Sequence, residues 1–189
     1  MKLLLIILTV LQSLLAILEQ KTLVSDFTMT YTPQSPIANS QSPITYTGNL
    51  AMHGKQFTLS MFNMEAAYDG NTLYMYSEEL EELSLSTPTE EELVQTNPFL
   101  YAQALMPVCQ YSEKMAGDKA IITLTPNDSS AGITKFVLHV VTSTSLPTLV
   151  EIHEAGDKTT KLELSNTSFT EGTHSFILNK EGAFINDLR

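Results

Sequence analysis

Tryptophan is absent from this chain of 189 residues, cysteine occurs once, and the 10 lysines and arginines face 21 aspartates and glutamates. Each scarcity excludes something. With Cys109 alone, no intrachain disulfide can form even in an oxidising compartment, and the plain reading of that residue is a small buried hydrophobe. A net charge of -11 repels nucleic acid and anionic membrane surfaces at long range. Phosphate-cradling glycine loops and the G-x-S-x-G nucleophile elbow are both missing. The histidines, His53, His139, His153 and His174, stand apart with no H-E-x-x-H spacing, so no metal site is expected. Glu78-Glu79-Leu80-Glu81-Glu82 lacks the spaced ligands and glycine of a calcium loop and reads as a solvated turn. No catalytic residue, metal or cofactor emerges, and the chain is expected not to be an enzyme.

What is present is apolar content, 43% of the residues, enough for one domain with a substantial core. The chain opens on Met1-Lys2 and the run Leu3 to Leu11, the pattern of a signal peptide, expected to cover 1–16 and to leave 17–189 as the mature domain. The tripeptide Leu14-Leu15-Ala16 fits the small-x-small rule poorly. A second reading is open, because Leu11, Leu14, Leu15 and Leu18 follow the spacing of an amphipathic helix face. Gln12, Ser13 and Glu19 keep the run from the ~20 apolar residues a membrane span needs, and a soluble exported protein is expected.

From Asp26 the dominant signal is short β-type runs between turn residues. Asp26 to Tyr31 leads into a loop with Pro33, Pro36 and Pro43; Thr45 to Met52 and Gln56 to Phe62 flank a glycine turn; Asp69-Gly70 separates two further apolar runs. The pattern breaks at Thr87-Pro88-Thr89-Glu90-Glu91-Glu92-Leu93, where Thr87 reads as a cap and Pro88 as the first helical residue. Asn97-Pro98 opens a second short helix that Pro107 ends. Strands resume at Cys109 to Lys114, Ala120 to Thr125, Ile133 to Thr142, Thr148 to Glu154 and Thr159 to Phe169.

Strands, a helical insertion and more strands let a sheet curl while helices cross its open face. Leu50, Met52, Phe57, Leu59 and Met61 alternate with polar residues and should share the inner face. Ile121 to Leu124 and Phe136 to Val141 do not alternate, which predicts apolar surface on both faces. A packed core satisfies these patterns. So does an internal pocket, which Met52, Met61, Met75 and Met106 would make adaptable. The helical segment Pro88 to Met106 should then close it, with Leu93, Phe99 and Leu100 turned inward.

Four segments, taken in order, resemble the outer-membrane lipoprotein carrier family, periplasmic chaperones that ferry acylated lipoproteins between the membranes of Gram-negative cells. They are Ser25-Asp26-Phe27-Thr28-Met29-Thr30; Gly48 to Met52 running into Lys55 to Met61; Tyr68-Asp69-Gly70-Asn71-Thr72-Leu73-Tyr74-Met75-Tyr76; and Thr87 to Leu93 through Asn97-Pro98-Phe99. The ending Ile185-Asn186-Asp187-Leu188-Arg189 is similar to one branch of it. The resemblance implies a mainly β (α+β) fold: a half-open, strongly curved antiparallel β-barrel whose short helices form a lid over an apolar cavity. It implies a monomer that takes acylated lipoproteins or other lipids, receives them from an inner-membrane lipoprotein-releasing transporter, and hands them to an outer-membrane acceptor where one exists. Phe57 matches a cavity-lining phenylalanine of the family, and the implied lining set is Leu50, Met52, Phe57, Leu59, Met61, Met75, Leu93, Phe99 and Leu100. Two departures stand out. The family's lid-holding arginine and its proline are replaced by His53-Gly54-Lys55, and Ala16 to Phe27 leaves room for only a stub of the amphipathic helix that carriers keep before the first strand. A periplasmic binder of another apolar ligand and a hydrolase assembled from distant residues remain as other readings.

Overall fold

The structure is a computed structural model and describes residues 9–32, 42–128, 132–156 and 158–189. Strands β1 (Thr22–Thr32), β2 (Ile44–His53), β3 (Gln56–Met61), β4 (Met64–Tyr68), β5 (Leu73–Ser77) and β6 (Glu82–Ser86) precede helices α2 (Glu90–Thr96) and α3 (Pro98–Leu105). After a 3-10 turn at Met106–Val108 come β7 (Cys109–Ala116), β8 (Lys119–Pro126), β9 (Ile133–Val141), β10 (Leu146–Glu154), β11 (Thr159–Thr170) and β12 (Phe184–Asp187). All twelve strands form one curved, open sheet in the order β12-β6-β5-β4-β3-β2-β1-β11-β10-β9-β8-β7. Two meanders, β2 to β6 and β7 to β11, are joined through β1, which pairs with β2 on one side and β11 on the other.

Turn chemistry explains the pairing of the first meander. Asp69 Oδ1 accepts from the backbone N–H groups of Asn71 and Thr72, each at 2.8 Å, and Gly70 takes φ +105°, so the β4–β5 hairpin closes where the Asp-Gly pair predicts. The β3–β4 turn gave no such signal, because it sets Phe62 at φ +53° with 80% of its surface exposed. Two strands are additions to the sequence reading. Strand β6 follows the acidic turn directly, its Leu83 and Leu85 separated by Ser84, and β12 pairs in parallel along β6.

The helices need one correction. Thr89, not Thr87, caps α2: its hydroxyl accepts from the Glu92 N–H while the Glu92 carboxylate takes the Thr89 N–H, and Pro88 lies outside the helix. The reciprocal bonds need a Thr-x-x-Glu spacing, which Thr89 provides. Asn97 caps α3 as expected, its side-chain oxygen accepting from Phe99 and Leu100.

The core fills the concave face. Ile122, Leu124, Phe136, Leu138 and Val140 of β8 and β9 are completely buried there. The expected burial on both faces of these strands is only partly present: Val137 is buried, while Ile121 and Val141 are half-exposed. Helix α1 (Val10–Leu18), capped by Thr9, sets Leu11, Leu14 and Leu18 into the same core with Leu15 partly buried against it. These are the residues of the amphipathic face. A cut after Ala16 would remove Leu11 and Leu14 from the core. The Leu18 carbonyl accepts the Gly54 N–H at 2.7 Å, so α1 reaches the β2–β3 turn and fills that end of the curved sheet. No helix among the described residues is long and apolar enough to cross a membrane. Pro33 and Pro36 and the run Lys2 to Leu8 lie outside the described residues.

Candidate functional site: an apolar cavity

Between the concave sheet and α2–α3 lies a cavity of about 710 Å³. Its walls come from alternate residues of neighbouring strands: Phe27 and Met29 on β1, Leu50 and Met52 on β2, Leu59 and Met61 on β3, Val150 and Ile152 on β10, and Leu162 on β11. Antiparallel register stacks them, since Leu50 faces Leu59 and Val150 faces Leu162. Val94, Pro98 and Tyr101 form the helical wall. Met61 ends β3, Glu154 ends β10 and Ile133 begins β9, so the cavity extends toward the end of the sheet opposite the one α1 fills.

The sheet can open this space because of Gly48. Phe27 lies opposite it in register, and a Cβ at Gly48 would stand 2.1 Å from the Ser60 carbonyl oxygen and 2.7 Å from the Phe27 ring. The ring packs over bare backbone and still lines the cavity.

Of the predicted lining, Leu50, Met52, Leu59 and Met61 stand in the cavity wall. The other five are placed differently. Phe57 is 2% exposed, with its ring centroid 6.2 Å from that of Tyr68, and belongs to the packed core beside the cavity. It is one register step nearer the end filled by α1 than Leu59. Met75 packs partly buried against the core, and Phe99 is fully enclosed in it. Leu93 and Leu100 turn into a smaller cleft of about 210 Å³ between α2, α3 and Lys55. The helices do cross the concave face, but it is Val94, Pro98 and Tyr101 that look into the main cavity. Phe27, Met29, Val150, Ile152 and Leu162 were missed, although Phe27-Thr28-Met29 and Val150-Glu151-Ile152 carry the same alternation that marked β3.

The polar groups on the wall are few. Glu91, Gln95 and Thr96 come from α2 and its end, Glu154 from β10 and Thr160 from β11. Burial pushes the Tyr101 hydroxyl above its ordinary pKa and the Glu154 carboxylate adds to the shift, so it stays a hydrogen-bond donor. Burial likewise raises the Cys109 thiol, which therefore suits a packing role rather than a nucleophile's. Among the described residues no three His, Cys, Asp or Glu side chains gather as a metal cage.

No family model and no curated protein matches the sequence. Solved structures do. An uncharacterized conserved protein of Thermus thermophilus is 9% identical, with 93% of this chain covering 98% of that one at a TM-score of 0.60. What is shared is the fold. A LolA superfamily protein of Nitrosomonas europaea matches at 10% identity over 86% of this chain and 94% of its own, with a TM-score of 0.40. A DUF1329 family protein of Desulfovibrio piger matches at 10% over 87% and 92%, with a TM-score of 0.43.

Lys55 Nζ lies 3.0 Å from Glu90 Oε1 in the first turn of α2, tying the β2–β3 turn to the lid. Both side chains are more than half exposed, and such a pair contributes only about 0.2–1 kcal/mol. It is a weak latch.

Proposed function

We propose that this protein is a periplasmic carrier that shelters the acyl chains of lipoproteins and ferries them toward the outer membrane, without catalysing a reaction. The observation that carries this reading is the cavity itself. At about 710 Å³ it falls within the range of ligand pockets, and its sheet wall is almost wholly Phe, Met, Leu, Ile and Val. If each methylene takes about the ~30 Å³ of a water molecule, a sixteen-carbon chain needs ~480 Å³. One chain fits.

Each methylene left in water costs about 0.8 kcal/mol, so a free acyl chain does not cross an aqueous compartment unaided. A carrier must cover it and then let go. Three methionine side chains in the wall adapt to a mobile chain, while the two short helices rest on the core through Leu93, Phe99, Ala102 and Leu105. The sequence resemblance runs through the strands that build the wall, Phe27 to Met61, and supports the same conclusion.

Mass spectrometry of material co-purifying with the protein from its native cell envelope tests the proposal. Acylated peptides are the expected finding. Free fatty acids or sterol-like molecules alone would make it a binder of another apolar ligand, and accumulation of cleaved esters would replace the carrier with a hydrolase.

A further inference from the structure

The cavity has an electrostatic character that its apolar walls conceal. Glu91 on α2 and Glu154 at the end of β10 both border it, from the lid and from the sheet. Neither joins an ion pair among the described residues. No lysine, arginine or histidine of the described residues lines the cavity. Lys158, the cation nearest Glu154 along the chain, meets it through its backbone carbonyl, which accepts the Glu154 N–H at 2.9 Å. The surrounding protein carries a net -11.

An acyl chain threaded into this space brings its head group to the polar part of the wall. A fatty-acid carboxylate arriving there meets two like charges and no cationic side chain on the described wall. An amide or ester head meets the Tyr101 hydroxyl, which has no hydrogen-bond partner among the described residues and is held protonated by burial and by Glu154. An ammonium head meets Glu91 and Glu154 as partners. We propose that the cavity selects its ligand by head-group charge: it accepts acyl chains with an uncharged or cationic head and rejects those that end in a carboxylate. This deepens the carrier reading and rests on it, since an N-acylated peptide terminus is uncharged at its amide while the free fatty acids of the envelope are anionic.

The test uses the purified full chain and displacement of the neutral fluorophore N-phenyl-1-naphthylamine at pH 8 and low salt. The competitors share a twelve-carbon chain: dodecylamine, N-dodecylacetamide and dodecanoate. Dodecanoate is expected to bind about tenfold or more weaker than N-dodecylacetamide, and dodecylamine at least as tightly as the amide, the gaps narrowing in high salt. Glu91→Gln/Glu154→Gln should bring dodecanoate to within about threefold of the amide. Each single variant should close part of the gap, which keeps the comparison available if the double variant does not fold. Equal binding of dodecanoate and N-dodecylacetamide to the wild-type chain would overturn charge selection while leaving the carrier reading intact. A wild-type preference that survives removal of both carboxylates would overturn it too. Failure of all three competitors and of the fluorophore to bind would instead overturn the carrier reading, and the selection with it.

Discussion

At the scale of single residues, Gly48 and Phe57 separate cavity from core. Adding one methyl at Gly48 forces β2 from β3 at the Ser60 carbonyl and pushes the Phe27 ring into the cavity. Gly48→Ala should therefore cost about 1–3 kcal/mol, as overpacking does, and weaken ligand binding as well. Urea denaturation and fluorophore titration of the same variant check both effects, and an unchanged midpoint would contradict the packing described. Phe57 gives the opposite combination. Enclosed against Tyr68, it has no access to water, and a carboxylate placed there would cost several kcal/mol of a total near 5–15. Phe57→Glu is expected to lose most of its ordered far-ultraviolet dichroism, whereas a variant that folds normally and fails only to bind would return Phe57 to the cavity wall. Alternation along β3 identified its inward face correctly, but period two cannot say where along that face packing stops and empty space begins.

At the scale of elements, the lid and the β4–β5 turn depend on single side chains. Asn97, 1% exposed, ends α2 by donating its backbone N–H to the Leu93 carbonyl and begins α3 by accepting from Phe99 and Leu100. Asn97→Ala should cost about 1–2 kcal/mol and loosen both helices, read as faster hydrogen exchange from Leu93 to Leu105 with the sheet amides unaffected. In the turn, burial works to raise the Asp69 pKa, but the amide N–H groups of Thr72 and Asn71 and the Tyr74 hydroxyl outweigh it, and the carboxyl sits below its ordinary 3.8. A depressed carboxyl contributes stability at pH above its unfolded value and forfeits it as pH falls through the folded one. The urea midpoint of the wild type should thus fall more steeply than that of Asp69→Asn between about pH 5 and pH 2. Asp-Gly made this hairpin readable from sequence. The Phe62-Asn63 turn carried no comparable mark because an aromatic residue at positive φ is what turn propensity argues against, and β12 escaped notice because four residues pairing with a strand about a hundred positions earlier leave no local trace.

For the whole molecule, the first helix decides what the folded unit is. Leu11 and Leu14 are completely buried, and losing such side chains costs about 2–5 kcal/mol each. A chain beginning at Ile17 is expected to melt without a cooperative transition in calorimetry, unlike the full chain. N-terminal sequencing of the protein from its native compartment should accordingly find Leu11 and Leu14 retained. Sequence alone leaves a leader and a helix both open here, since both need the same leucines, and packing against distant β8 and the β2–β3 turn leaves no local trace.

The seam between the two meanders governs how the chain must be made. Strand β1 leaves the ribosome well before its β11 partner, Thr159–Thr170. At about 5–20 residues per second, the stretch from Thr32 to Thr170 takes roughly 7–28 seconds, during which β1 lacks its β11 partner along one edge. That edge alternates Leu23, Phe27 and Met29 with polar residues, an invitation to pair with the wrong chain. A protein whose finished form would guard another molecule's greasy parts thus needs guarding itself until residues 159–170 take their place beside β1.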